Sequence, residues 1–171
     1  PAAAGAPAPV VEPAAGSVAA GAPAPVEVFG GCHQCHIGSS GSDNVQEVQV
    51  PVSWWGTEVI AVSSSPATTD VTMWRILASQ DGTLVTTAPP MPGMPATLAA
   101  GAFVEFFNAT DFEVTASKPV QVGRYNTFSA TGAVPALCLM LPSCVFTSGA
   151  TFALSIRSVK VNWLDVVARP G

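Results

Sequence analysis

From residue 45 onward the chain is written in short runs where apolar and polar residues alternate with a period of two, and no 3.6-residue period is sustained. Val45 to Val52 alternates valine with polar residues, and Glu58 to Ser63 is rich in β-branched residues. Comparable runs follow at Val71 to Ser79, Thr83 to Thr87, Ala102 to Phe107, Phe112 to Ser117, Val120 to Asn126, Phe152 to Arg157 and Trp163 to Ala168. Turn-forming residues separate them: Ser79-Gln80-Asp81-Gly82, the prolines between Pro89 and Pro95, Leu98-Ala99-Ala100-Gly101, and Ser117-Lys118-Pro119. The pattern predicts an all-β fold, an antiparallel β-sandwich or small barrel, over residues 47–171.

Residues 1–30 are built differently. They are almost entirely Ala, Pro, Gly and Val, and the stretch Ala3 to Val10 recurs as Ala19 to Val26. Repeated prolines fix φ and remove donors, so this segment predicts an extended, Ala/Pro-rich arm without a core of its own. Such an arm serves either as a spacer or as a strap along a neighbouring subunit. Between arm and β domain, residues 31–46 hold a compact cysteine–histidine motif and then a Gly/Ser-rich hinge, Ile37 to Gln46.

That motif contains both histidines of the chain: Cys32-His33-Gln34-Cys35-His36. Cys-x-x-Cys-His is the attachment signature of a c-type haem, in which two thiols add across the vinyl groups and the following imidazole binds iron. Cys32 and Cys35 are then the attachment residues, His36 the proximal ligand, and haem c the covalent cofactor. The second axial ligand is open among Met73, Met91, Met94 and Met140, or His33 reaching the haem of an adjacent copy. The last option makes the chain a self-assembling, filament-forming electron-transfer subunit whose partners are copies of itself. Three other readings of the motif stand beside haem: a zinc site completed from elsewhere, a redox-active Cys-x-x-Cys, and a plain structural disulfide. A second pair, Cys138 and Cys144, encloses a five-residue apolar loop and is a disulfide candidate, with two buried thiols as the alternative.

Composition narrows the partners. Six Lys plus Arg against 11 Asp plus Glu give a net charge of -5, which leaves no basic footprint for nucleic acid. Only 10% of residues are charged and 49% are hydrophobic, a balance suited to a subunit that buries surface against others. No run of about 18 apolar residues is present, so no transmembrane helix is expected. The chain opens on Pro1 rather than Met, as a processed mature chain would, and both covalent haem and disulfides point to an extracellular location.

The β part carries specific wording. Ser53-Trp54-Trp55-Gly56-Thr57-Glu58, Arg75-Ile76-Leu77-Ala78-Ser79-Gln80-Asp81-Gly82-Thr83, Leu98-Ala99-Ala100-Gly101 with Phe107, and Thr115-Ala116-Ser117-Lys118-Pro119-Val120 occur in that order. With Asn162 to Gly171, they resemble the N-terminal domain shared by IgGFc-binding proteins and many secreted bacterial proteins, from Val50 to the end. The resemblance implies a secreted scaffold associated with adhesive surfaces, assigns no catalytic residue, and leaves the arm and the cysteine–histidine motif outside the family pattern. It also implies further strands beyond Gly171, hence open sheet edges.

No enzyme is expected. Every imidazole sits in one crowded motif, and neither a phosphate-cradling loop nor a His-Glu-x-x-His is present. Asp111 and Glu113 read as an exposed acidic edge, Trp54 and Trp55 as strand-edge packing or a binding platform, and Asn108-Ala109-Thr110 as a glycosylation sequon in form. The alternative to the cytochrome is a secreted adhesive or structural β module with disulfides or zinc and no haem.

Overall fold

The computed structural model describes residues 27–37, 42–63, 71–127, 135–149 and 167. It is all-β, with eight strands among the described residues: β1 Phe29–Cys35, β2 Asp43–Val48, β3 Gly56–Ala61, β4 Thr72–Ala78, β5 Val85–Ala88, β6 Phe103–Asn108, β7 Phe112–Asn126 and β8 Ala136–Met140. Two single-turn 3-10 helices, Val52–Trp54 and Ser143–Val145, are the helical elements among the described residues. The arm through residue 26 and the runs expected at 152–157 and 163–168 lie outside the described residues, Val167 excepted.

β7 organises the fold. It pairs with β3, β4, β5 and β8, all antiparallel, and the six-stranded sheet runs β3-β7-β4-β6 with β5 and β8 on other stretches of β7. Its first part, from Phe112 to Ala116, lies between β3 and β5, and its second, from Val120 to Asn126, lies between β4 and β8. One strand therefore belongs to both layers of the sandwich. An isolated bridge between Val59 and Pro142 ties the end of β8 back to β3 and partly closes the sheet.

The join between the two parts of β7 was expected as a turn at Ser117-Lys118-Pro119. It is a bulge instead: the β3 register moves from Gly56↔Val120 to Glu58↔Thr115, so the extra β7 residues are accommodated without reversing the chain. Pro119 lacks a donor and interrupts the ladder locally. Ser117 instead bonds β5's approach, donating its amide to Leu84 and accepting the Leu84 amide at Oγ, both at 2.9 Å.

Alternation along the strands sets the core. Thr72, Trp74, Ile76 and Ala78 of β4 point inward, as do Phe112, Val114, Ala116, Val120 and Val122 of β7. Trp74 meets Phe112 edge-on at 4.9 Å between centroids, and Phe106 lies 5.4 Å from Phe112. Such aromatic pairs add about 0.5–1.5 kcal/mol beyond area burial. The turn before β5 is a true reversal: Gly82 has φ +65°, a conformation that costs glycine nothing. Lys118 caps that turn by donating to the Asp81 carbonyl.

The expected Gly/Ser hinge is not a hinge where it is described. β1 and β2 pair as an antiparallel hairpin, from Phe29↔Val48 to Cys35↔Asp43, and the boundary expected after residue 46 falls inside β2. β1 was not foreseen, because Phe29-Gly30-Gly31-Cys32-His33-Gln34-Cys35 has no apolar alternation. Gly31 is required there: a Cβ would lie 2.1 Å from the Val45 carbonyl oxygen. β2 sits beside β8, and Val45 and Ile37 are the hairpin segment's buried apolar residues.

Candidate functional site

The cysteine–histidine motif lies on β1 and the residues directly after it. Cys32, His33, Gln34 and His36 are exposed, and Cys35 is half-buried. Cys32 and Cys35 form a disulfide with their Cα atoms 5.5 Å apart. In a straight strand, residues three apart are separated by about 10 Å. The shortening comes from a bulge: three steps along β1, Cys32 to Cys35, oppose two along β2, Val45 to Asp43. Bulge and disulfide thus occupy the same four residues. A loop this small constrains the unfolded chain modestly, by about 2 kcal/mol in the chain-entropy description.

The bridge bears on the cofactor expectation. Covalent haem needs both thiols free to form thioethers, and in this structure the two sulfurs are bonded to each other. The axial-ligand candidates have other surroundings. Met91, Met94 and Met140 pack against the hydrophobic core, and Met73 lies in register with Phe107 and Tyr125. No group of three or more His, Cys, Asp or Glu that could hold a metal ion occurs among the described residues.

The disulfide expected between Cys138 and Cys144 is not formed; both are free thiols. Cys138 is on β8, opposite Arg124 of β7, whereas Cys144 is exposed in the 3-10 turn that follows, beside Gly56 of β3. Burial pushes the Cys138 thiol above its ordinary value; Arg124 pulls it down and Glu47, on the hairpin, pushes it up. Arg124 donates to the Val62 carbonyl at 2.9 Å, which ties β7 to the end of β3.

A polar–aromatic cluster on the outer face of the sheet escaped sequence reasoning. Arg75 bridges to Glu105 across β4 and β6 at 2.7 Å, and its guanidinium lies 4.6 Å from the Phe103 centroid and 5.2 Å from that of Tyr125. Strand register supplied the signal: Arg75 pairs with Glu105 on one side and Gly123 on the other. Trp55 donates Nε1 to the Val50 carbonyl at 3.2 Å, while Trp54 is 57% exposed, so the two tryptophans have separate surroundings. Asp111 accepts from the amide and hydroxyl of Ser63, giving this acidic residue a structural role at the end of β3. In the sequon, Asn108 donates to the Thr110 carbonyl and Thr110 Oγ1 donates to Asn108 Oδ1 at 3.2 Å, closing the β6–β7 turn.

No described helix is long and apolar enough to cross a membrane. The chain matches no curated protein and no solved structure. A family model described as IgGFc binding protein matches residues 14–169, a span that extends the expected resemblance upstream and takes in Cys32 to His36. The chain therefore belongs to the IgGFc binding protein family.

Proposed function

We propose that this chain is a secreted, non-catalytic β module that binds an extracellular protein and carries a disulfide in place of haem. The observation that carries the reading is the Cys32–Cys35 bridge in a member of this family. A bridge that engages both motif thiols favours the disulfide reading over thioethers and suits an oxidising, extracellular compartment. A haem-to-haem polymer through His33 would need the same two sulfurs as thioethers. Surface chemistry supports protein binding: Phe29, Trp54 and Phe107 are 55%, 57% and 58% exposed, and aromatic side chains are favoured interface anchors. The family's description supplies the first partner to test, the Fc region of immunoglobulin G.

The test uses the purified, unreduced protein. Alkylation under denaturing conditions without reductant is expected to label two thiols, Cys138 and Cys144, in a colourless protein that immobilised Fc captures saturably. Sharp α and Soret bands with a haem-shifted mass would overturn the reading in favour of a monohaem electron-transfer subunit. A disulfide-bearing protein that Fc does not retain would exclude Fc as the partner.

A further inference from the structure

We infer that the Cys32–Cys35 bridge is a thiol-exchange site that takes a partner's thiol covalently on Cys32. This rests on the disulfide-bearing reading above and adds an activity to it. Accessibility sets the direction of attack. Cys32 is exposed, whereas Cys35 is half-buried and two residues from buried Ile37, so an incoming sulfur reaches Cys32 more readily. Exposed disulfides are the exchangeable ones, because a thiolate must approach one sulfur in line with the bond it displaces.

The hairpin also tolerates the change. β1 and β2 form a two-stranded sheet separate from the six-stranded one, and the bridge lies across a bulge where the ladder is already interrupted. Opening the bond leaves the pairs from Phe29↔Val48 to Cys32↔Val45 in place, with Val45 buried as the anchor. Cys35 then stays close enough to attack the mixed disulfide and release the partner.

The step balances without an external oxidant. A partner thiol loses its proton to solvent and its thiolate attacks Cys32 Sγ. The new S–S bond forms as the Cys32–Cys35 bond breaks, and Cys35 departs with the electron pair and takes up a proton. The partner class is a protein or peptide with an accessible thiol, for which glutathione is the probe.

The experiment incubates the full chain, as a Cys138→Ser/Cys144→Ser variant, with reduced glutathione under anaerobic conditions. N-ethylmaleimide then traps the products for peptide mapping. The expected product carries glutathione on Cys32 and maleimide on Cys35, and Cys35→Ser exposed to oxidised glutathione accumulates the Cys32 adduct without reversal. Glutathione on Cys35, or an intact bridge with no adduct, would sink the inference while leaving the disulfide-bearing module standing. Haem on the two sulfurs would sink both.

Discussion

The six-stranded sheet and the β1–β2 hairpin are held together by different means. Every second residue of β4, and most inward positions of β7, is buried in a continuous apolar core. β1 buries none of its residues fully, and the hairpin relies on a short ladder, the buried side chain of Val45 and a small disulfide. Burial scales with apolar area removed from water, whereas a four-residue covalent loop acts mainly on local chain entropy. The sheet should therefore respond to core substitutions as a unit, and the hairpin should open by itself.

The largest effect is expected in the sheet. Trp74→Ala removes a fully buried ring together with its contact to Phe112, and should cost about 3–5 kcal/mol in urea unfolding. Full stability in that variant would show that the two layers do not share one core. A smaller, local effect is expected in the hairpin. Replacing both Cys32 and Cys35 by Ser should lower the hairpin's opening free energy by about 2 kcal/mol, seen as faster amide exchange in β1 and β2. Exchange in β4 and β7 should be unchanged; equal acceleration there would erase the distinction between the regions. The smallest effect belongs to the sheet's outer face. Glu105→Gln leaves Arg75 stacked between Phe103 and Tyr125 and should cost at most about 1 kcal/mol, with weaker salt dependence of stability. A loss as large as that of Trp74→Ala would mean the pair carries the β4–β6 contact.

The sheet was legible because its physics is local in the sequence. Alternation marked β3, β4, β6 and both parts of β7 within a few residues of their observed ends, and glycine marked the reversals at Gly82 and Gly101. Pro119 misled because a proline that breaks one ladder bond looks like a proline that turns the chain. β8 overlaps the start of the expected Cys138–Cys144 loop, and Leu137-Cys138-Leu139-Met140 is apolar on both faces and gives no period. β1 was invisible because its residues have low strand propensity and are held by a partner, with Gly31 fitted against the Val45 carbonyl.

At the candidate site, the sequence specified the two cysteines three apart and the imidazoles beside them, but not what the sulfurs bond to. The same five letters suit thioethers, metal ligation or a disulfide, since each needs only proximity in the chain. What the sequence by itself determined was the all-β class, the position of most strands and the family resemblance, because period-two patterning and turn chemistry act over a few neighbouring residues. Tertiary structure alone decided that β7 serves both layers, that Cys138 meets Arg124 rather than Cys144, and that β1 is bulged where Cys32 and Cys35 meet. Those outcomes depend on which other strand supplies each ladder's second half and in what register, and a pairing partner leaves no mark on the residues it pairs with.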